Sequence, residues 1–313
     1  MTTAKYPAYR RVGQYAPVVI SATRRAIRAV CSPAGIAGVA TEAAWIGAHL
    51  ALYPLGLIED RIEEIRHGVS HRSPVERGLW VTDVEAAGTP IILLHGVVDN
   101  RSVFTFLRRA LRRRGFDRTY SLNYSLLSRD IRTVAQDLAR FVEEVCEETG
   151  YERVHIVGHS MGGLIGRYYV QVLGGDTRVH TLVTLGTPHG GTFGARFIPW
   201  PVMRQLQYDS PVIAELAEPA PDCGTTFIAI WSDLDQIVVP QRNARITHAD
   251  LRARNVLFRG IGHMSLPVDR RVGHEISRVL AVLDVDGSTV ANGTTSIASI
   301  RASRPGRSAT AGA

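Results

Sequence analysis

The sequence predicts an α/β protein, a mainly parallel sheet with helices on both faces. Three observations carry this. Short apolar runs alternate with amphipathic stretches from residue 91 to residue 284. One run, Val154-His155-Ile156-Val157, turns through Gly158-His159-Ser160-Met161-Gly162-Gly163 straight into a helical pattern of Leu164, Ile165, Tyr168, Tyr169 and Val172. A serine, two aspartates and a histidine each fall just past the end of such a run, where open parallel sheets place their ligands.

The elements follow in order. Ile91-Ile92-Leu93-Leu94 is uninterrupted and apolar, as a fully buried central strand is. Residues 102–114 read as a helix ending in Arg112-Arg113-Arg114, cations suited to the negative end of a helix dipole. Residues 119–123 form the second strand. Over 130–149, Ile131, Val134, Leu138, Phe141, Val142 and Val145 share one helix face, with charged residues on the other. Residues 153–157 are the third strand, 161–173 the helix after the serine turn, and 179–185 the fourth strand. After a long connection come a strand over 225–231, a helical stretch near 241–252, a short strand over 255–259 and a helix over 268–284.

A strand, a tight turn with serine at its tip and a helix make up a nucleophile elbow, which lifts the Ser160 hydroxyl above the sheet. Gly158 and Gly162 leave room where side chains would crowd the neighbouring strand and helix. The same short pattern also occurs in glycine-rich turns of other doubly wound proteins, so the rest of the site has to decide. A serine hydroxyl is a poor nucleophile until a base takes its proton. The expected chain order is serine, acid, histidine. Asp233 and Asp235 follow the strand ending at Trp231, and His263 follows the last strand in Gly260-Ile261-Gly262-His263. Asp235 precedes the apolar Ile237-Val238-Val239-Pro240, which would bury its carboxylate, so it is the expected partner of His263. Asp233 is then a turn residue bonding its own backbone. Among the eleven histidines, His95, His155 and His159 precede the nucleophile, His189 lies in the connection, and His248 and His274 lie in helical stretches. For a developing oxyanion, the backbone N–H of Met161 at the start of the helix is one expected donor. The N–H of Val97, after Leu94-His95-Gly96, is the other.

These residues, together with Leu185-Gly186-Thr187-Pro188-His189-Gly190-Gly191-Thr192 and Asp235-Gln236-Ile237-Val238, resemble an α/β-hydrolase, and within that superfamily bacterial lipases and esterases. The resemblance spans about residues 80–284. It implies the α/β-hydrolase fold and carboxylic-ester hydrolysis through an acyl-enzyme, with no cofactor. Where many lipases carry a further glycine after His-Gly, this chain reads Val97-Val98-Asp99-Asn100. A thioesterase or an acyltransferase would use the same triad. A non-enzymatic binding role is the third class, and an intact serine, aspartate and histidine set argues against it.

The catalytic domain is expected over 80–284, with residues 187–222 as a cap or lid insertion. That insertion carries Phe193, Phe197, Trp200, Met203, Leu206 and Tyr208, suited either to an acyl-chain pocket or to packing on the sheet edge. Phe193, Phe197 and Trp200 are the candidate substrate contacts. Residues 1–79 form an N-terminal helical, apolar extension. In it Arg24, Arg25 and Arg28 precede a mostly apolar run from Val30 to Ile58 that contains Glu42, His49 and Pro54. A packed or membrane-surface hairpin fits this run. A transmembrane span places Glu42 in mid-segment at a cost of about 2–3 kcal/mol, and a removed signal lacks a small-x-small cleavage site. The expected location is therefore cytoplasmic or membrane-associated, with an exported form as the third reading. Residues 285–313 have the composition of a disordered tail.

At 313 residues, 45% of them hydrophobic, the chain can build one large core. Its net charge of +7 is almost entirely arginine over acid, with Lys5 the sole lysine. That usage reads as genome composition, so no nucleic-acid partner is expected. The partners implied are a lipid or other acyl ester and a peripheral membrane contact through the N-terminal region. The arginines cluster only at Arg108, Arg109 and Arg112 to Arg114, a solvated, dipole-matched helix end or an attraction for anionic lipid. Cys31, Cys146 and Cys223 suggest neither a disulfide framework nor metal-ligand spacing.

Overall fold

The structure is a computed structural model and describes residues 88–97, 101–124 and 130–281, with Gly47 alone before them. The N-terminal extension and the C-terminal tail otherwise lie outside the described residues. Six strands form one sheet: β1 (Ile91–Leu94), β2 (Thr119–Leu122), β3 (Val154–His159), β4 (Val179–Leu185), β5 (Thr226–Ser232) and β6 (Arg252–Phe258). Their order is β2-β1-β3-β4-β5-β6, and every pairing is parallel. The chain has the α/β-hydrolase fold.

The apolar pattern dictates which helix covers which face. Helix α1 (Thr105–Arg113) follows β1 and lays Leu107 and Leu111 on one face of the sheet with Ile91, Leu93 and Val157. Helix α2 (Ile131–Thr149) follows β2 and lays Ile131, Val134, Leu138 and Val142 on the other with Ile92, Leu94 and Ile156. Asp130 caps α2 by accepting from Arg132 N at 3.0 Å, and Gly150 closes it in a left-handed conformation at φ 72°. The chain thus leaves β1 on one face and returns to β3 across the other. The carboxyl ends of β1 and β3, where the connections part to opposite faces, are where such sheets bind. Helix α3 (Met161–Val172) packs beside α2, and α6 (Arg270–Leu280), capped by Asp269, packs beside α1.

The connection over 187–222 holds a 3₁₀ turn (Phe193–Phe197) and two short helices, α4 (Pro201–Gln205) and α5 (Pro211–Glu215). The expected helical stretch at 241–252 does not form. Only a 3₁₀ turn (Gln241–Ala244) is present, and β6 starts at Arg252. Two asparagines explain this. Asn243 donates to Gly190 O and Gly191 O at 3.1 and 2.9 Å, and Asn255 pairs with both the N–H and the C=O of Ile246 at 2.9 Å. Those bonds satisfy the backbone in an open conformation and compete with helix formation. Among the described residues no helix is long and apolar enough to cross a membrane.

One histidine sits in the core without a site. His155 on β3 is fully buried, its two ring nitrogens have no hydrogen-bond partner, and its ring meets that of His180 edge-on at 5.4 Å. Burial, with the nearby His180 adding to it, pushes its pKa down to about 3. The folded state therefore holds His155 neutral, while the unfolded chain takes up a proton near pH 6.5. Stability from this residue is complete above about pH 6.5 and falls as pH drops toward 3, by up to about 1.4 kcal/mol per pH unit. Urea unfolding of His155→Leu and the parent should show a shallower acid loss in the variant. Parallel pH slopes would contradict this assignment.

Candidate active site

Ser160 lies between β3 and α3 with φ 54° and ψ −123°, the one described non-glycine residue at positive φ. Its N–H donates to Leu185 O at 2.8 Å. Its C=O accepts from Thr187 Oγ1 at 2.8 Å and from Gly163 N at 3.1 Å. The two flanking glycines make the turn close enough. A Cβ at Gly158 would lie 2.5 Å from Gly163 N, and one at Gly162 would lie 2.2 Å from Leu94 O. The second contact shows what the turn accomplishes, since it brings the start of α3 against the carboxyl end of β1.

That end carries the Val97 segment. Tyr124 stacks on His95 with ring centroids 4.2 Å apart and 12° between planes, and its hydroxyl donates to His95 O at 2.6 Å. His95 Nδ1 lies 2.9 Å from Gly96 O. Val97 is half-buried against the core, and Val98 to Asn100 lie outside the described residues. The Met161 N–H is among the first four of α3, which have no partner inside the helix and stand at its positive end.

His263 and Asp235 come together. His263 Nδ1 is 2.8 Å from Asp235 Oδ2, and the two residues are 2% and 1% exposed. The other carboxylate oxygen accepts from Ile237 N at 2.9 Å and Val238 N at 2.8 Å. An ionised carboxylate only accepts, so the proton of a neutral His263 belongs on Nδ1, and Nε2 carries the lone pair. Ser232 Oγ donates to Ile261 O at 2.6 Å and fixes the end of β5 to the His263 loop. His159 then joins that loop to the elbow, with Nε2 3.2 Å from His263 O and the two imidazoles 4.8 Å apart.

Asp233 is elsewhere. It is exposed, accepts from Gly260 N at 2.9 Å and pairs with Arg259 at 3.5 Å. It therefore caps a turn at the end of β6 instead of bonding its own backbone. His189 is buried in the core, 3.0 Å from Thr184 Oγ1, and burial drives its pKa well below the usual histidine value. His248 bonds Glu218 O at 2.8 Å, and His274 is exposed on α6.

The insertion divides in two. Val202, Met203, Leu206, Val212 and Leu216 join the core on the α2 and α3 side. Phe193, Phe197 and Trp200 are 50%, 73% and 37% exposed, with the Phe193 and Phe197 rings edge to face at 5.4 Å. Phe193 N donates to Val239 O at 2.9 Å, which continues the apolar rim into the exposed Ile237 and Val239 beside Asp235. A cavity of about 220 Å³ bounded by His180, Thr226, Arg254 and Arg278 lies toward the amino ends of β4 to β6, away from Ser160.

The roles of Thr187, Tyr124 and His159 were not evident from sequence. Thr187 stands inside the Gly-Thr-Pro-His segment already singled out, and His159 inside the elbow. Only Tyr124 had no signal.

Residues 89–207 match the family model described as alpha/beta hydrolase fold. A triacylglycerol lipase of Pseudarthrobacter phenanthrenivorans is 38% identical over 63 residues, 20% of this chain and 19% of that protein. One of Burkholderia plantarii is 38% identical over 63 residues, 20% of this chain and 17% of that protein. The matched segment thus spans less than a fifth of either relative. Aspergillus fumigatus lipase B superposes with a TM-score of 0.56 at 14% identity, over 71% of this chain and 57% of that one, a likeness of fold. By its parallel sheet, its matched segment and that likeness, the chain has the fold of the α/β-hydrolases.

Proposed function

We propose that the protein is a serine hydrolase that cleaves carboxylic esters of lipid-like substrates through an acyl-enzyme. The observation that carries this reading is the buried Asp235–His263 pair, bonded through His159 to the elbow that bears Ser160. Ser160 Oγ attacks the ester carbonyl carbon while His263 Nε2 takes its proton. Asp235 holds the tautomer and stabilises the imidazolium that forms. The carbonyl oxygen becomes an oxyanion and accepts from the N–H groups of Met161 and Val97. The C–O bond to the leaving alcohol breaks as His263 returns the proton. Water, deprotonated by the same imidazole, then attacks the acyl-enzyme and frees the acid and Ser160. No step calls for a cofactor.

Two features support a hydrophobic acyl group. Phe193, Phe197, Trp200, Ile237 and Val239 form an exposed apolar rim next to the pair, and such patches mark binding surfaces. The short segment shared with triacylglycerol lipases points the same way.

Ser160→Ala should abolish labelling by a fluorophosphonate probe while circular dichroism stays unchanged; full labelling would end the mechanism. Nitrophenyl esters of graded chain length, with acyl-CoA substrates alongside, should show turnover of the oxygen esters. Preference for the thioester would move the reading to a thioesterase.

Asp235→Asn should lower kcat on the order of 10³- to 10⁴-fold by favouring the wrong imidazole tautomer. Asp233→Asn should change it by less than about tenfold, since its bonds go to a turn on β6. The reverse ranking would exchange the two roles.

Phe197→Asp with Trp200→Asp should depress long-chain turnover selectively, by about tenfold or more, because each removes an apolar contact of about 1–3 kcal/mol. Equal losses on acetate and long-chain esters would remove the rim from substrate binding.

A further inference from the structure

We propose that the outer faces of α1 and α6 form a docking surface for an anionic lipid bilayer. Residues 105–114 carry five arginines and no acid. Leu107 and Leu111 face the sheet, and Arg108 is buried with its guanidinium on Ser121 Oγ. That burial turns Arg109, Arg112 and Arg113 outward, and all three are exposed. Helix α6 lies alongside. Arg114 Nη1 reaches Ser277 Oγ at 3.4 Å, and its Nη2 lies 3.2 Å from His274 Nδ1. On the outer side of α6, Arg270, Arg271, His274 and Arg278 are exposed in one row.

The charge on this face is only partly cancelled locally. Asp269 pairs with Arg271 at 3.0 Å, and Glu275 pairs with both Arg278 and Arg254 at 2.8 Å. Among the described residues Arg109, Arg112, Arg113 and Arg270 have no carboxylate partner. Four uncompensated guanidinium groups across two adjacent helices exceed what matching a helix dipole needs, since that effect acts within the last turn of one helix. Phe106 decides between a bilayer and a nucleic acid. It is 47% exposed and stands one turn before Arg109 and two before Arg113, on the same helix face. An aromatic ring among arginines suits the boundary between headgroups and acyl chains. Against a duplex, which turns its phosphates outward and keeps its bases stacked inside, the ring would meet no apolar surface. The N-terminus of α6, with Arg270, follows on the His263 loop, so one end of this face adjoins that loop.

The inference stands on charge and exposure and is independent of ester hydrolysis. It is tested with the full chain carrying Ser160→Ala, floated with vesicles of phosphatidylcholine alone or mixed with phosphatidylglycerol. Binding is expected only to the anionic vesicles, and it should weaken as salt rises. Arg109→Gln, Arg112→Gln and Arg113→Gln together should weaken it on the order of 10²-fold. The three Lys replacements should retain it, and Arg140→Gln on α2 across the sheet should leave it unchanged. Thermal unfolding checks that the triple variant is folded, and soluble-ester turnover with Ser160 restored should match the parent. Equal binding to both vesicle types, unaltered affinity of the triple Gln variant, or preference for duplex DNA over anionic vesicles would each overturn the proposal.

Discussion

The backbone of Ser160 is the constraint around which this end of the molecule is arranged. A non-glycine residue at φ 54° and ψ −123° sits outside the favoured regions, at a cost on the order of 1–3 kcal/mol. Such a conformation persists only where its neighbours over-determine it. Here the Ser160 N–H is tied to β4 through Leu185 O, and its C=O to the loop after β4 through Thr187. The glycine at 162 lets α3 close onto the β1 carbonyls. Three parallel strands therefore fix one serine. The geometry depends on β1, β3 and β4 being adjacent, and the crossing of the chain from one face to the other between β1 and β3 provides that adjacency.

A second constraint follows from burial. Placing a carboxylate almost entirely out of water costs several kcal/mol unless its lone pairs are satisfied. Asp235 meets this with two backbone N–H groups on one oxygen and the imidazole on the other. Gln241 adds a bond to its backbone carbonyl at 2.9 Å. The loop after β5 is thus shaped by what an ionised carboxylate requires, and the apolar Val238 that follows closes it off from solvent. Asp233, two residues earlier and exposed, faces no such requirement and caps a turn.

Much of this was legible in the chain because it rests on local rules. A run of four apolar residues marks β1, and the 3.6-residue period marks α2. Asp130, placed inside that helix by the periodicity, proves to be its cap. The preference for Asp235 over Asp233 rested on the apolar residues after it, and burial is the physical reason for that preference. The stretch over 241–252 was misread because its side-chain to backbone bonds join residues far apart, Asn243 with Gly190 and Asn255 with Ile246. No periodicity records them. The same applies to Tyr124, whose partner His95 is distant in sequence, and to the pairing of α1 with α6, which gathers arginines from two separate segments into one face.

The insertion after β4 answers to two different demands at once. Its second half belongs to the core. Arg167 of α3, nearly buried, donates to Leu216 O at 2.7 Å and to Gln171 at 3.0 Å, while Glu215 accepts from Arg132 and Tyr168 of the helix layer. Burial lowers the Arg167 pKa to about 10, so the guanidinium stays charged at neutral pH. Removing Leu216 from its reach would leave that charge unsatisfied in the interior. Its first half is anchored at its root, where Thr192 N donates to Leu206 O, Thr192 Oγ1 joins Ile237 O and Val239 N, and Phe193 N donates to Val239 O. Beyond that root Ala195 is buried in the core, while Phe193 and Phe197 pack edge to face on each other and stay half or more exposed. One half is therefore constrained by the sheet it covers, and the other keeps exposed aromatic side chains. Under the proposed function, residue changes at Phe193, Phe197 or Trp200 would alter this exposed surface and leave the bonds of the buried Asp235–His263 pair in place.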